Sequence, residues 1–395
     1  MTWILLAGEY PPKVGGVGAY TRKVALALAA AGDDVEVWTP HRAAVGPPQR
    51  DAGIRVRELP DLLGPRSLVF LERELAHRAE ARLLLQYVPQ TLGLRAMNVP
   101  FCAWLARRGR PYWVMFHEVA MRMARGAPWQ HNVLGAAHRA MGALVARHAE
   151  RIFVSTTAWN GLLARLAPRA PAPIGLPVPS NLPESVSTDD VAKVRARHGL
   201  SRDDVVIGAF AQYAGALGDR LAETLPVLLG RDPRRIVLLA GKGSDAFAAR
   251  VFRTGQRVIA TGEQSLDVLA ANLAAFDVAV QPYPDGVTTR RGTVMANLAL
   301  GVPVVTNAGP NTESVWEGGE GLSFALTPEP ELILAAAERL LGDAPLRRAV
   351  GARGAALYRR NFSLERTIET LRGEPSSSSG CVPSEVREVE CRARS

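Results

Sequence analysis

The sequence predicts an α/β protein with two domains, each built on a parallel sheet covered by helices. Short apolar strands alternate with helical patterns along most of the 395 residues, and this alternation is typical of parallel sheets. A segment with six prolines, residues 168–183, divides the pattern into two similar halves, because proline is excluded from regular helix interiors. The chain is also too long for one ordinary core.

We place the first domain at residues 1–172 and the second at residues 173–362. In the first domain the apolar runs predict strands at residues 3–7, 35–39, 54–58, 82–87, 112–116 and 151–155. In the second domain they predict strands at residues 205–210, 235–240, 257–260, 276–280 and 302–306. Residues 363–372 predict a further helix. Residues 373–395 are rich in serine and charge and predict a disordered tail.

Composition narrows the class of protein. No run of about 18 apolar residues is present, so the sequence predicts no membrane span, and the N-terminus lacks the basic start of a signal peptide. Cys102, Cys381 and Cys391 have no metal-site spacing. This use of cysteine indicates a reducing cytoplasm without structural disulfides.

The net charge of +9 is concentrated in the first half of the chain. Residues 1–180 contain 22 Arg or Lys and 12 Asp or Glu, whereas the rest contains 25 and 26. A basic first domain suits an anionic acceptor or the inner face of a membrane, and a solvated arginine-rich surface is the alternative. Aromatic residues are sparse and no nucleic-acid-binding motif is found, so we do not expect nucleic acid as a partner.

The most informative stretch is residues 281–306, which reads QPYPDGVTTRRGTVMANLALGVPVVT. An apolar strand precedes a polar loop, and a helix follows the loop. The first turn of a helix has free N–H groups and a partial positive charge, so it favours anions. We therefore expect a phosphate-binding site formed by the residues of this loop and helix start, namely Asp285, Thr288, Thr289, Arg290, Arg291, Gly292 and Thr293. A surface loop whose arginines face water is the alternative.

Three further loops follow predicted strands. Gly15 and Gly16 come after the first strand and allow close backbone approach to a phosphate or sugar, or they only form a tight turn. His117 and Glu118 follow the strand at residues 112–116 and can orient a sugar hydroxyl. In the second domain, Lys242 and the segment Thr261, Gly262 and Glu263 follow neighbouring strands.

Taken together, these motifs resemble the GT-B glycosyltransferases, specifically the family-4-like group that retains configuration and uses nucleotide sugars. The resemblance covers residues 1–372. It lies in the Gly15–Gly16 loop, His117-Glu118, the proline-rich linker, residues 240–243 and the block at residues 281–306. It implies two Rossmann-like domains facing a cleft, a donor site in the second domain, an acceptor site in the first, and a last helix that crosses back. It also implies no obligatory metal or other cofactor, since the nucleotide sugar is a co-substrate.

Two departures from the family pattern concern charged donor contacts. The family has two glutamates with seven residues between them in the central block, and their places hold Thr288 and Ala296. The second glutamate holds the ribose in the family. The lysine expected after the second domain's first strand is Leu217. Arg290, Arg291 or Lys242 can supply the missing positive charge.

The sequence thus predicts transfer of a sugar from a nucleotide sugar to a hydroxyl acceptor with retention. The expected catalytic residues are His117, Glu118 and Arg290. The expected donor-binding residues are Gly15, Gly16, Lys242, Thr261, Gly262, Glu263, Asp285, Thr288, Thr289, Arg291, Gly292 and Thr293. The acceptor is a saccharide, a lipid-linked saccharide or a small natural product.

One alternative function is that of a catalytically impaired GT-B relative that binds a sugar nucleotide or a partner protein. The other is a sugar-nucleotide epimerase or NAD enzyme, although the dinucleotide fingerprint is absent.

Overall fold

The computed structural model of the chain describes residues 1–13, 15–40, 50–316, 319 and 321–373. Two sheets form the two halves of the molecule. The first has eight strands in the order β3-β4-β2-β1-β5-β6-β7-β8, and the second has six in the order β11-β10-β9-β12-β13-β14. All neighbouring strands are parallel except the antiparallel pair β3 and β4. The predicted fold class is confirmed.

The first sheet contains strands β1 Thr2–Ala7, β2 Asp34–Pro40, β3 Arg50–Asp51, β4 Ile54–Leu59, β5 Arg82–Tyr87, β6 Trp113–Phe116, β7 Arg151–Val154 and β8 Ile174–Gly175. Its helices are α1 Gly16–Ala30, α2 Pro65–Ala76, α3 Val99–Arg107, α4 Trp129–His148 and α5 Asn160–Leu166. The proline-rich segment is not wholly irregular, because β8 lies within it and pairs with β7. The first sheet therefore extends past the predicted boundary at residue 172.

The second sheet contains β9 Val205–Phe210, β10 Arg235–Ala240, β11 Val258–Ala260, β12 Val278–Val280, β13 Val304–Asn307 and β14 Leu322–Ala325. Its helices are α6 Thr188–Arg197, α7 Gly215–Gly230, α8 Ser244–Val251, α9 Leu266–Ala274, α10 Gly292–Ala299, α11 Pro330–Leu341 and α12 Ala344–Asn361. The edge strand β14 was not predicted, because its four residues are too few to show a clear pattern.

The last helix, α13 Leu364–Arg372, lies on the first domain. Ile368 and Leu371 belong to the apolar cluster that contains Trp3 and Val24, and the Arg372 guanidinium donates to the Ala31 carbonyl at 2.9 Å. The chain therefore returns to its first domain after completing the second. The predicted disordered tail lies outside the described residues, apart from Gly373.

Direct contacts connect residues 178–184 of the linker to both domains. The Lys23 ammonium of the first domain lies 3.4 Å from Glu184. The Ser180 amide donates to the Tyr358 hydroxyl at 3.0 Å, and that hydroxyl donates to Glu184 at 2.7 Å. The Val178 amide donates to the Thr289 carbonyl at 3.2 Å. These contacts hold the linker beside the loop that follows β12, at the carboxyl end of the second sheet, where ligands bind in open parallel sheets.

Candidate active site

Three cavities open between the two domains, and Arg290 lines all of them. The central cavity, of about 470 Å³, includes Glu9, Gly15, Gly16, Tyr20, His117, Ser155, Arg290 and Gly292 in its wall. The C-domain cavity, of about 1040 Å³, includes Phe210, Gln212, Tyr213, Leu217, Lys242, Phe247, Arg250, Tyr283, Arg290, Arg291, Gly292 and Thr293. The side cavity, of about 520 Å³, includes Glu118, Arg122, Arg139, Trp159, Arg165, Asp285, Thr288 and Arg290.

The loop between β12 and α10 is tightly constrained by backbone contacts. The Asn307 side chain accepts from the Tyr283 amide at 2.8 Å and donates to the Tyr283 carbonyl at 2.8 Å. Gly286 has a φ of +86°, and a Cβ there would lie 2.2 Å from the Thr312 hydroxyl oxygen and 2.5 Å from the Gly309 nitrogen. A glycine is therefore required. This constraint fixes the backbone position from which Arg290 and Arg291 extend.

Two groups contact Arg291, and a third supports one of them. Its guanidinium pairs with Asp285 and lies 4.5 Å from the centre of the Tyr283 ring. The Asn311 amide donates to the other oxygen of Asp285 at 3.1 Å. Asp285 thus orients Arg291, and one buried nitrogen of Arg291, Nε, is left without a partner in the described part of the chain.

Arg290 is the less occupied of the two arginines. Its guanidinium lies 6.0 Å from the centre of the Trp159 ring, and within the described residues it forms neither a hydrogen bond nor an ion pair. Burial, followed by the nearby charge of Arg291, lowers its pKa. The charges of Glu118, Asp285 and Glu313 act in the opposite direction, but none of these carboxylates forms an ion pair with Arg290. A half-buried cation without a direct ion pair is an expected feature of an anion site.

His117 is buried at the end of β6 and lines the central cavity. Its Nε2 lies 2.8 Å from the Gln86 side-chain oxygen, and the Tyr20 ring packs edge to face against it with centroids 4.8 Å apart. Burial lowers its pKa to about 3. The imidazole is therefore neutral near pH 7. With the proton on Nε2, donated to Gln86, Nδ1 is a hydrogen-bond acceptor.

The predicted pair of His117 and Glu118 is divided between two cavities. Glu118 lines the side cavity together with Asp285 and Thr288, whereas His117 lines the central one. Side chains of successive residues at a strand end point to opposite faces of the sheet, so two adjacent residues can line different cavities. The Thr288 hydroxyl is buried and has no partner in the described structure.

Glu9 follows β1, and its carboxylate lies at the start of α1, close to the glycine-rich loop. Its carboxylate accepts from the Gly18 amide at 3.1 Å and lies 3.6 Å from the Lys13 ammonium. A Cβ on Gly15 would lie only 2.3 Å from a Glu9 oxygen, whereas a Cβ on Gly16 would meet nothing within 4 Å. Both glycines line the central cavity. A carboxylate therefore already complements the N-terminus of α1.

Thr289 lies between the domains and lines none of the three cavities. Its hydroxyl lies 2.8 Å from the Ser155 carbonyl and 2.5 Å from Glu313, and its amide donates to Glu313 at 2.6 Å. The buried Glu313 also accepts from the Thr157 amide at 3.1 Å and from the Trp316 indole at 3.1 Å. Thr289 and Glu313 thus join the domains.

The remaining predicted donor residues lie at the rim or outside the cavities. Lys242 lines the C-domain cavity, with its side chain 83% exposed and 3.8 Å from Glu263. Thr261, Gly262 and Glu263 are not among the residues that line the three cavities. The Thr261 hydroxyl accepts from the Gly241 amide at 3.2 Å, so it supports the loop that carries Lys242.

Gly292 and Thr293 begin α10 at the wall of the C-domain cavity. The Gly292 amide donates to the Arg290 carbonyl at 3.1 Å. The Thr293 hydroxyl lies 2.6 Å from that of Tyr283.

Four residues near the site were not predicted from the sequence, namely Tyr283, Arg250, Glu9 and Glu313. Only Glu9 had a sequence signal, since it follows the first strand directly.

The two departures from the family pattern have different surroundings. Ala296 is fully buried in the core of the second domain and lines none of the three cavities. Leu217 does line the C-domain cavity.

Among the described residues, no group of three or more potential metal-binding side chains is found, and no helix has the length and apolar character needed to cross a membrane.

Comparison with known proteins gives the family. Residues 15–177 match the glycosyl transferase 4-like domain, and residues 205–343 match the glycosyl transferases group 1 domain. The two matches together span most of the described chain. The first match corresponds to the first sheet, and the second match corresponds to the second sheet. The chain belongs to the family-4-like glycosyltransferases of GT-B fold. A search of curated protein sequences found no match.

Solved structures share the fold at low identity. A sucrose-phosphate synthase from Thermosynechococcus elongatus is 18% identical, with a TM-score of 0.71 over 94% of this chain and 98% of that one. Anabaena HepE, solved in complex with UDP and glucose, is 14% identical, with a TM-score of 0.67 over 94% and 98%. WaaG, a glycosyltransferase involved in lipopolysaccharide biosynthesis, is 14% identical, with a TM-score of 0.64 over 94% and 100%.

Proposed function

We propose that the protein transfers a glycosyl group from a nucleoside diphosphate sugar to a hydroxyl acceptor, with retention of configuration. The observation that carries this proposal is the charge of the C-domain cavity. Its wall contains Lys242, Arg250, Arg290 and Arg291 and no carboxylate among the described residues. A cavity of this size with four cations fits a nucleoside diphosphate.

In this proposal the donor spans two cavities. The diphosphate lies beside Arg290 and Arg291, and the sugar enters the central cavity, whose wall includes His117. Arg290 and Gly292 are shared by the walls of both cavities, so the bond between sugar and phosphate would lie near Arg290. HepE, which has the same fold, has been solved with UDP-glucose, and this supports a nucleotide sugar as the donor here.

Charge stabilisation is the main contribution that these residues can make. When the bond from the sugar C1 to the phosphate oxygen breaks, negative charge grows on the nucleoside diphosphate. Arg290 is preorganised and partly shielded from water, and such groups stabilise developing charge strongly. The acceptor oxygen bonds to C1 on the same face, and its proton passes to the departing phosphate oxygen. No separate base is then needed.

His117 would position the sugar and would not donate a proton to it. Its pKa of about 3 keeps the ring neutral, and Nδ1 can accept a hydrogen bond from a sugar hydroxyl. Glu118 faces the side cavity and so would act near the acceptor. We propose no metal or organic cofactor for the reaction.

The rival proposal is a catalytically impaired relative that only binds a sugar nucleotide. Thr288 and Ala296 stand where the family has glutamates, which favours this rival. Turnover distinguishes the two. The purified protein is incubated with a panel of nucleotide sugars, and release of nucleoside diphosphate is followed with and without saccharide acceptors. Release that requires Arg290 supports the enzyme, whereas binding without release supports the rival.

We also propose that the first domain makes peripheral contact with the cytoplasmic face of a membrane. Met123, Trp129 and Val133 are 44%, 71% and 49% exposed, and Arg122 and Arg125 lie beside them in sequence. Exposed apolar side chains with adjacent cations suit anionic lipid. Trp129→Ser should weaken sedimentation with anionic vesicles, whereas Leu326→Ser, at an exposed apolar position of the second domain, should not. Failure of the unmodified protein to bind such vesicles at low salt would overturn this contact.

A further inference from the structure

The side cavity has a chemical character that the donor does not explain. It shares Arg290 with the C-domain cavity. Its wall comes from the ends of β6 and β7, from α4 and α5, and from the loops before α10 and after β13. Its volume of about 520 Å³ is enough for a small saccharide.

Four arginines contribute to this wall, namely Arg122, Arg139, Arg165 and Arg290. The two carboxylates there are Asp285, which already pairs with Arg291, and Glu118. The cavity therefore has excess positive charge. Clustered cations repel one another, and a bound anion relieves the repulsion.

The arginines differ in how they are held. Arg139 is fixed, because its guanidinium donates to the Met121 carbonyl at 2.9 Å and to the Gly135 carbonyl at 3.0 Å. Arg122 and Arg165 are exposed, and their guanidinium groups have no hydrogen-bond or ion-pair partner among the described residues. The tip of Arg165 lies 3.8 Å from where a Cβ of Gly161 would be, and Gly161 itself lines the cavity. Arg165 therefore folds towards the cavity.

Two buried polar atoms in the same wall also lack partners. The Thr288 hydroxyl is buried, with the residue 1% exposed, and the Trp159 indole nitrogen is buried. Neither has a hydrogen-bond partner in the described structure. A buried unpaired polar atom costs free energy, and a ligand hydroxyl or phosphate oxygen could pair with it.

We propose that the side cavity binds a phosphate group carried by the saccharide acceptor, with Arg122 and Arg165 as the principal phosphate contacts. The proposal deepens the proposed function and rests on it, because the acceptor must reach the sugar carbon near Arg290. A phosphate with two or more arginines forms charge-assisted, forked hydrogen bonds. Trp159 provides an apolar face for the sugar ring.

Two sources share this chemistry, a water-soluble sugar phosphate and the headgroup of a lipid-linked saccharide. The first arm of the test uses a hexose 6-phosphate, the matching hexose and inorganic phosphate, titrated into the full chain by calorimetry. The variants are Arg165→Ala, Arg122→Ala and Arg165→Lys. Arg169→Ala is the control, since Arg169 is exposed, lies four residues from Arg165 and lines none of the three cavities.

We expect the hexose phosphate to bind and the hexose to bind at least tenfold more weakly. Arg165→Ala and Arg122→Ala should each weaken phosphate binding about tenfold or more, Arg165→Lys less, and Arg169→Ala not at all. The second arm uses vesicles of phosphatidic acid in phosphatidylcholine. Vesicle binding that Arg165→Ala weakens and Arg169→Ala keeps, together with no binding of the soluble probes, supports the lipid-linked source.

Binding of phosphate that is unchanged in Arg165→Ala and Arg122→Ala would overturn the proposal, as would failure of all three phosphate probes. The same variants are titrated with nucleoside diphosphates. We expect Arg165→Ala to leave nucleotide binding unchanged, because Arg165 is not part of the C-domain cavity. Loss of the proposed donor site would appear as absent nucleotide binding with phosphate binding intact, so the two failures are distinguishable.

Discussion

The two sides of the cleft complement charge in opposite ways. On the first domain, the start of α1 already holds the Glu9 carboxylate, which accepts from the Gly18 amide at 3.1 Å, and the nearby histidine is neutral. On the second domain, the start of α10 faces Arg290 and Arg291. At the central cavity, an anionic group is therefore disfavoured beside the start of α1 and favoured beside the start of α10. There the glycine-rich loop of the first domain shapes the cavity, and Arg290 from the second domain supplies positive charge.

The largest effect is expected from breaking the loop that presents the arginines. Gly286→Ala places a Cβ 2.5 Å from the Gly309 backbone at a φ of +86°. Strain of this kind typically costs about 3 kcal/mol, and we expect a fall in melting temperature of about 5 °C or more. The matched change on the other side, Gly15→Ala, displaces only a flexible carboxylate. If both variants melt at the same temperature, the second loop is not constrained as described.

The next effect concerns the carboxylate that joins the two sides. Glu313→Gln replaces the oxygen that accepts from the Thr157 or the Thr289 amide with a second donor. A buried donor facing another donor costs about 1–3 kcal/mol. We expect lower thermal stability together with increased proteolysis in the linker. Glu331→Gln, in the first turn of α11 and not near the junction, serves as the control and should behave like the unmodified protein.

The third prediction concerns the neutral histidine on the first side. Burial lowers the pKa of His117 to about 3, from an ordinary value of 6.5. Between these values the unfolded chain binds the proton and the folded chain does not. The contribution of His117 to the free energy of unfolding is therefore fully present above pH 6.5. It is lost progressively as the pH falls towards 3.

Denaturant unfolding from pH 7.5 to 4.5 tests this prediction. We expect His117→Gln to have a shallower pH dependence than the unmodified protein, by at most about 1.4 kcal/mol per pH unit. His148→Gln, at an exposed position at the end of α4, should keep the original slope. An unchanged slope in His117→Gln would show that folding does not lower the pKa of this histidine.

The smallest effect is expected from removing the negative charge of the first side. Glu9→Gln keeps an oxygen that can accept from the Gly18 amide and removes one charge from the central cavity. We expect nucleoside diphosphate to bind about two- to fivefold more tightly at low salt, with the difference falling as salt rises. Weaker binding would mean that Glu9 contacts the ligand favourably, and the contrast between the two sides would be wrong.

The fold could be predicted from the sequence because strand composition and linker prolines are local signals. The short strands β8 and β14 could not, since two or four residues form no clear periodic pattern. At the site, the strand-end rule located His117, Arg290 and Arg291 correctly at the cleft. It could not assign Thr289, because its partner Glu313 is distant in sequence and forms contacts only in the folded chain.

The same rule also selected residues 261–263. They follow β11, which is the edge strand of its sheet, and they line none of the three cavities. Glu9 is the opposite case, a residue of the cleft that the rule did not select. An acid after the first strand reduces the anion affinity of the helix that follows, and the glycine pattern alone does not reveal this.

The most direct test of the account is a thermal-shift panel of nucleoside diphosphates and nucleotide sugars on the unmodified protein, Arg290→Ala and Arg253→Ala. Arg253 is exposed and lines none of the three cavities, so it is the control. A ligand that binds only the folded state raises the melting temperature. We predict a shift with one nucleotide series that Arg253→Ala keeps and Arg290→Ala loses. A shift that survives in Arg290→Ala, or none with any nucleotide, would contradict the placement of the donor beside Arg290.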